Sequence, residues 1–467
     1  MKDIIHYIAD ELVEKVLENF KNTNMHLNDL CELLLADCKE AACKLTEAYA
    51  QACNLQLRQD KAGRRNRLSI REKNRERIVL TEIGTLHIPR DYYYDKKTKQ
   101  YLYPLDLMLG LEKYERVLAS VKAKLVETAA SVSYEKSAQL VTGGAVSRQT
   151  VRNQILHIQI PQLPAEGEKR RCEELHIFAD EDHVHLQKPG KEKGKKHQIV
   201  PLITVTEGID TNKKRHHTKE AKSFVDEDFD TKRLWQTVSG YLSKRYDLES
   251  LEHIYIHGDG GSWIQNGPEE YAQTEHVIDG FHFERELKRI SGYYKKKQVR
   301  QKIGYLLTKK ERKDLAEKYL QELAESAEDE KIKEKTEQFG TYLKNHWEAI
   351  KKRRKKDMPG SCTEGQVSHL LSKRFSRDPM GWSKVGLGKL SAARIHLKNG
   401  EKLGAENFQE KKESWTYSAY AEQLMQEVLH KTYDWSITEE RTPMIYDLAS
   451  GTQQVLRQIG TYRNLWN

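Results

Sequence analysis

The sequence predicts an α/β core that carries a helical insertion and is preceded by helical, β-hairpin and helix-turn-helix parts. Three observations predict it. Between residues 175 and 294, apolar stretches of strand length alternate with stretches of helical period, the pattern of an α/β layer. Residues 295–356 are dominated by Glu, Lys, Ala and Leu without a strand signal, so helices alone interrupt that layer. Upstream, the apolar period changes from helical to two and back to helical.

In the region 1–60, apolar residues recur three and four apart (Ile4, Ile8, Leu12, Val16; Leu27, Leu30, Leu34) with no Pro or Gly between, which predicts two or three amphipathic helices. Their stripe is not a strict heptad, so it suits intramolecular packing better than a dimer seam. The region 61–110 turns to β-type stretches, Arg77-Ile78-Val79-Leu80, Thr85-Leu86-His87-Ile88 and Tyr92-Tyr93-Tyr94, separated by Ile83-Gly84 and Asp95-Lys96-Lys97. A small basic hairpin is implied, preceded by Arg64, Arg65 and Arg67 as candidate DNA-facing cations. The competing explanation is an edge hairpin with solvated charges.

The region 111–160 returns to helical spacing and contains a short helix, the pair Gly143-Gly144, Ser147 at an N-cap position, and a second helix opening with Arg148, Gln149 and Arg152. That is the outline of a helix-turn-helix, whose second helix enters the major groove; a plain helical corner has the same outline. Past a linker over residues 161–167, the first part of the core extends to residue 294 and the insertion to 357. The last part of the core, with one more helix, covers 358–404, and a C-terminal region follows over 405–467.

A chain of 467 residues is too long for one ordinary core, which agrees with several modules. Its 79 Lys and Arg against 70 Asp and Glu leave a formal charge of +9, unevenly spread. Basic runs stand at 64–77, 191–197, 213–217, 295–297 and 351–356; each alone is an ordinary solvated face, and together they point to a polyanionic partner. The six cysteines show no two-residue spacing and read as reduced thiols, not a zinc ribbon or a redox pair. No cleavable leader and no apolar run of about 20 residues appears, so a soluble, cytoplasmic protein without a membrane role is expected.

Three acids carry the chemistry. In Ile177-Phe178-Ala179-Asp180-Glu181-Asp182-His183-Val184, a period of two puts Asp180 and Asp182 on one face of an otherwise apolar strand. Burying an unpaired charge there is expensive, and a bound cation is one remedy. Asp259 follows the apolar stretch His253 to His257 inside Gly258-Asp259-Gly260-Gly261, at the carboxyl end of a strand where α/β sheets place ligands, although an Asp-Gly turn explains it too. Glu364 stands in the first turn of a helix opened by Ser361 or Thr363, where it also complements the helix dipole. Two acids at strands and one on a later helix are what a two-metal phosphoryl-transfer site needs, and oxygen ligands select Mg²⁺ or Mn²⁺ over zinc. Four further histidines, His183, His185, His257 and His369, lie near these acids without a zinc spacing.

The order Asp180, Asp259, helical insertion, Glu364 resembles that of the DDE transposases, whose catalytic core is RNase H-like. More narrowly, Ala179-Asp180, Val184-His185-Leu186-Gln187, Gly258-Asp259-Gly260-Gly261-Ser262-Trp263-Ile264, Asp279-Gly280-Phe281-His282 and Glu364-Gly365-Gln366-Val367-Ser368-His369 are similar to a bacterial insertion-sequence family related to the Mutator-like group, long catalogued as uncharacterised transposase-like proteins. The likeness runs from about Arg75 to Ala393. It implies Asp180, Asp259 and Glu364 as catalytic acids and metal ligands, with Asp182 on the same face as Asp180 leaving open which of the two binds metal. Asp279 and His282 match the Cys-or-Asp, two residues, His pair that supports the acids in Mutator-like enzymes; without the resemblance they read as an N-cap and a core-edge histidine. Arg374, Arg377 and Trp382 follow the last helix and offer phosphate contact and stacking, or form an ordinary loop.

The implied protein is a transposase that uses Mg²⁺, or Mn²⁺ in its place, as two ions. It binds terminal inverted repeats, cleaves, and joins 3′-hydroxyl ends to target DNA as a nucleoid-associated homo-oligomer. The alternatives are an element-derived DNA-binding protein that does not cut, or a structure-selective nuclease of the same fold. For Glu364 to reach the sheet, the insertion is expected to fold out of the way.

Overall fold

The computed structural model describes residues 2–21, 25–64, 66–163, 167–187, 197–210, 217–265, 267, 271, 273–294, 297–307, 311–354, 358, 360, 362–377 and 381–408. Arg65, most of the basic runs at 191–197 and 213–217, and the C-terminal region from 409 onward lie outside these. Among the described residues no helix is long and apolar enough to cross a membrane. The chain divides into two compact units, one over Met1–Arg116 and one over Val117–Lys411. The expected N-terminal helices and hairpin thus share a unit, while the helix-turn-helix belongs with the α/β layer.

In the first unit, α1 (Lys2–Lys21) and α2 (Leu27–Gln59) form an antiparallel pair laced by Lys15, Lys44, Glu11 and Glu40, followed by the short α3 (Lys61–Arg64). The hairpin is much longer than its apolar segments suggest: β1 (Leu68–Leu80) pairs antiparallel with β2 (Thr85–Asp95), and β3 (Gln100–Leu102) adds to the far edge. Leu57 of α2 meets Leu68, Tyr93 and Leu102 in a small core, and α4 (Pro104–Met108) closes the unit.

The second unit opens with α5 (Ala119–Ala129), α6 (Tyr134–Thr142) and α7 (Arg148–His157). Ser133 caps α6, and Gly143 ends it in the left-handed region at φ 60°, where a side chain would be strained. Gly144 continues the turn at φ 87°, and the Ser147 hydroxyl accepts from Thr150 N at 3.2 Å to start α7. The local chemistry read from the sequence is therefore the geometry formed.

The layer that follows is a mixed five-stranded sheet. Its strands are β4 (Glu174–His185), β5 (His197–Thr206), β8 (Lys222–Phe224), β9 (His253–Gly258) and β10 (Thr274–Ile278), with a separate two-stranded ribbon of β6 (Ile209–Asp210) and β7 (His217–Thr218). The order is β10-β9-β4-β5-β8, with β4, β9 and β10 mutually parallel and β5 antiparallel to both its neighbours. Leu175, Ile177 and Ala179 of β4 and Ile254 and Ile256 of β9 face α8 (Thr231–Arg245), packing against Leu234, Trp235, Val238 and Leu242. The opposite face, carrying Phe178, Asp180 and Asp182, receives the later helices.

After the short α9 (Ser262–Gln265), α10 (Gly280–Tyr293) leaves the sheet, and the insertion forms α11 (Lys297–Tyr305), α12 (Lys313–Glu325), α13 (Glu330–Asn345) and α14 (Trp347–Arg353). Despite its charge this region has its own core, in which Val299, Ile303, Leu320, Phe339, Leu343 and Trp347 pack with Phe283 and Leu287 of α10. The chain then returns through α15 (Thr363–Val367), a π-helical stretch (Ser368–Ser372) and α16 (Lys373–Phe375) to the buried α17 (Lys384–Lys398), and its described part ends in a 3-10 turn (Ala405–Phe408). Gly388 of α17 sits directly against the backbone carbonyl of Glu227, where a Cβ has no room. Gly388→Ala is expected to lower stability by about 1–2 kcal/mol although Ala is the better helix former; an unchanged urea midpoint would show that the two segments separate freely.

Candidate metal centre

The parallel register aligns three aspartates. Phe178 pairs with His257, so Asp180 and Asp259 each lie two residues further on; Gly258 pairs with Ile278, so Asp259 and Asp279 each lie one residue further on. All three thus occupy one row, Asp180 midway along β4 and Asp259 and Asp279 just past the carboxyl ends of β9 and β10. Gly258 is required for this approach, since a Cβ there would stand 3.1 Å from the Ala179 carbonyl oxygen and 2.8 Å from Ile264.

Asp180 is 7% exposed. Burial, with the charges of Asp259 and Asp279 adding to it, pushes its carboxyl up to about 6, while a backbone hydrogen bond and His282 act the other way. His282, in the first turn of α10, brings Nε2 to 3.9 Å from Asp180 Oδ2, and that nitrogen is buried without a hydrogen bond. Glu364, exposed in the first turn of α15, completes the cluster: one ligand atom each from Asp180, His282 and Glu364 lie within 4.8 Å of one another. Metal–oxygen bonds of about 2.1 Å place donors on opposite sides of an ion about 4.2 Å apart, so small side-chain rotations close this group on a divalent cation.

Asp259 is not within that group. Its Oδ1 accepts from Gly261 N at 2.8 Å, the Asx turn that the sequence left as its alternative. Asp279 caps α10, accepting from Phe281 N at 2.7 Å, while its Oδ2 is buried with no hydrogen bond. It is both an N-cap and a member of the acidic row. Asp182 is also buried, which raises its pKa, but it accepts from Ser376 Oγ at 3.0 and 3.1 Å and so fastens the end of the returning helix. Of the two acids on this face, Asp180 is the one beside His282 and Glu364.

The insertion does not stand clear of the site. Tyr342 of α13 donates from its hydroxyl to the backbone carbonyl of Asp259 at 3.0 Å, and burial with the Asp259 charge raises its pKa. His346 lies over Gly260, whose φ of +92° and whose missing Cβ, 2.7 Å from the imidazole if present, both call for glycine. Gln265 Nε2 is 3.1 Å from His346 Nδ1. Nothing in a charged helical sequence marks these contacts. Trp263 Nε1 donates to Glu181 Oε2 at 3.0 Å, tying the Asp259 turn back to β4.

Among the four histidines noted above, His257 is fully buried beneath the row, 3.0 Å from His176, and burial keeps it well below its usual pKa. His183 and His369 are exposed, and His185 packs edge-on against His197. Arg374 and Trp382 are corrected by the structure: each is 5% exposed. Arg374 donates to the carbonyls of Ala129 at 3.0 Å and Val132 at 2.8 Å and lies over the Trp382 ring, and Trp382 Nε1 donates to Phe375 O at 3.0 Å. Both are internal groups that join α16 to the end of α5, because the open carbonyls of a helix terminus need donors. Arg377 is exposed and bonds Ser368 Oγ. Arg148 and Gln149 are exposed on α7, Arg152 is half-buried, and Arg64 donates to Arg58 O at 3.0 Å.

Compared with known proteins, residues 20–412 match the model of an uncharacterised protein family, UPF0236, a longer span than the motifs reach. A UPF0236 protein of Caldanaerobacter subterraneus subsp. tengcongensis is 32% identical over 413 residues, 86% of this chain and 85% of that one. A UPF0236 protein in the vanSb 3′ region of Streptococcus gallolyticus is 27% identical over 348 residues, 69% of this chain and 73% of that one. Among solved structures, the Drosophila P element transposase strand transfer complex covers 68% of this chain and 92% of its own at 9% identity and a TM-score of 0.23, a score that carries no argument about fold or activity.

Since Asp180 is charged only above about pH 6, a cation that needs the carboxylate must displace its proton below that pH. Mn²⁺ affinity measured by calorimetry is expected to rise as pH increases through 6 and to level off above it. An affinity flat across about pH 5–8 would remove Asp180 from the ligand set.

Proposed function

The chain belongs to the UPF0236 family, and from that premise we propose that it is a metal-dependent DNA transposase, which binds the terminal inverted repeats of a mobile element, hydrolyses a strand at each end and joins the freed 3′-hydroxyls to target DNA. The observation that carries this reading is the convergence of Asp180, His282 and Glu364 beside Asp259, from segments up to 184 residues apart (364 − 180), on β4 next to the carboxyl ends of the parallel strands β9 and β10. Sheet topology supports it as well. Counted along the chain as strands 1 to 5, the order is 3-2-1-4-5 with only the second strand reversed, and the helical insertion precedes the helix that bears the third acid, as an RNase H-like core of the DDE kind would have it.

The two carboxylates, of the buried Asp180 and of Glu364, fit Mg²⁺ or Mn²⁺, and the His282 nitrogen beside them is buried without a hydrogen-bond partner. Asp180 and Glu364 would hold such ions together with Asp259, with His282 as a nitrogen ligand. Two divalent cations bound there would lower the pKa of an attacking water or hydroxyl and offset charge on the phosphate. The protein's own part is positioning. Asp279 starts α10 and so places His282; Ser376 holds Asp182, and with it the end of the helix that brings Glu364 to the sheet. Tyr342 and Trp263 fix the turn that carries Asp259. Exposed Arg148 and Gln149, with Arg152 on the next turn, would read the repeat from the major groove, and two copies on two DNA ends would complete the assembly.

Asp259→Asn is expected to lower cleavage and strand transfer about a hundredfold or more with repeat affinity unchanged within about threefold. Near-parental cleavage by that variant would overturn the metal assignment, and cleavage without joined product by the parent would favour the nuclease. Arg148→Ala combined with Arg152→Ala is expected to weaken binding to repeat duplex and to flatten the log affinity–log salt slope by about 1.8; an unchanged slope would move recognition off α7.

A further inference from the structure

Within the first unit, the hairpin uses its two faces differently. One face packs on α2: Asp91, Tyr93 and Asp95 are buried, and Arg58 holds Asp91 through Nε at 2.8 Å and a terminal nitrogen at 2.7 Å. The opposite face carries a row of tyrosines. Ring centroids step 4.7 Å from Tyr103 to Tyr92, 5.3 Å from Tyr92 to Tyr101 and 5.0 Å from Tyr101 to Tyr94. Guanidinium groups lie over three of these rings: Arg90 at 3.6 Å from the Tyr103 centroid, Arg71 at 5.1 Å from Tyr94 and Arg75 at 5.9 Å from Tyr92.

Arg90 is tied to Asp106 and belongs to the fold. Arg71, Lys73 and Arg75 are exposed, and Tyr101 is 56% exposed. Arg75 has Glu72 at 3.6 Å, with both side chains more than half exposed, a pairing of little strength in water. Two register shifts in β1, between Ile70 and Glu72 and between Glu72 and Arg75, break the strict alternation of this strand, and Arg71 and Arg75 both reach the tyrosine row.

We propose that this strip binds single-stranded DNA. Arg71, Lys73 and Arg75 take phosphates, and unpaired bases stack on the outward faces of the Arg71 and Arg75 guanidinium planes and on Tyr101. A duplex covers the faces of its bases, so a surface that combines flat cations with an exposed ring distinguishes itself on an unpaired strand. The choice of DNA as the polymer rests on the proposed function; the site itself rests on the hairpin.

The test is fluorescence anisotropy with the full chain and EDTA present, using labelled oligo-dT of about 20 nucleotides and a duplex of equal length at about 100 mM salt. Arg71→Glu with Arg75→Glu is expected to weaken oligo-dT binding at least about tenfold and to reduce the salt slope by about 1.4. Arg71→Lys with Arg75→Lys keeps the slope and loses several-fold in affinity, and Tyr101→Ala weakens binding by about fivefold or more at constant slope, all with unchanged thermal melting. Wild-type affinity and slope in the charge-reversed variant would overturn the proposal, as would tighter binding of duplex than of oligo-dT through the same residues. The two readings fail separately. A parent that binds oligo-dT through the strip but cleaves no DNA keeps the strip and loses the transposase; one that cleaves, with a charge-reversed variant that still binds oligo-dT normally, does the reverse.

Discussion

A carboxylate in the middle of a sheet is costly, and the second unit is organised around that cost. Asp180 lies on the face of β4 opposite α8, with Asp259 and Asp279 in the same row on the neighbouring strands. Burial raises the Asp180 carboxyl most, and repulsion from the other two acids in the row adds to it. The fold meets this partly with helix N-termini. Asp279 caps the start of α10 and α15 begins one residue before Glu364, so the positive ends of two helices lie at the acidic row. Backbone dipoles alone leave His282 Nε2 and Asp279 Oδ2 without hydrogen bonds. Buried polar atoms in that state are rare in folded proteins, and here two of them sit beside the acidic row.

Much of this was legible in the sequence, and the reason is period. β4, β5, β9, β10, α8 and α10 bury regular apolar faces, so their positions follow from spacing. The Gly143-Gly144 turn and the caps at Ser147 and Asp279 follow from backbone chemistry that only a few residue types satisfy. The hairpin was underestimated because residues 71–76 are charged or amide-bearing and disfavour strands in isolation. There the pairing is imposed from outside, by α2 and by Asn54 and Arg58 gripping Asp91.

The site residues divide along the same line. Asp180, Asp259 and Glu364 could be singled out from local context, but that Asp180 stands beside Glu364 while Asp182 is engaged by Ser376, almost two hundred residues away in the chain, is not written in it. Arg374 and Trp382 carry the composition of a DNA contact and the environment of a core. Side-chain identity does not say which way a helix is turned, and the carbonyls that claim Arg374 belong to the end of α5 and the turn after it, 245 and 242 residues earlier. Tyr342 and His346 had no signal at all, because a helix with mixed charge looks the same whether it projects into solvent or rests on the turn that carries Asp259.

One consequence follows from the arginines at the end of α5. Arg374 holds the carbonyls of Ala129 and Val132, and Arg394 from α17 holds that of Ala130 together with those of His369 and Leu370 in the π-helical stretch. A π-helical turn offsets the backbone bonding pattern, and Arg394 donates to two of its carbonyls while its third nitrogen grips α5. The helix-turn-helix is therefore not a cassette. Any exchange of this helical segment by recombination would have to leave α5 and its terminal carbonyls in place, so exchange is confined to α7 and its exposed face, and change by point substitution is the simpler route.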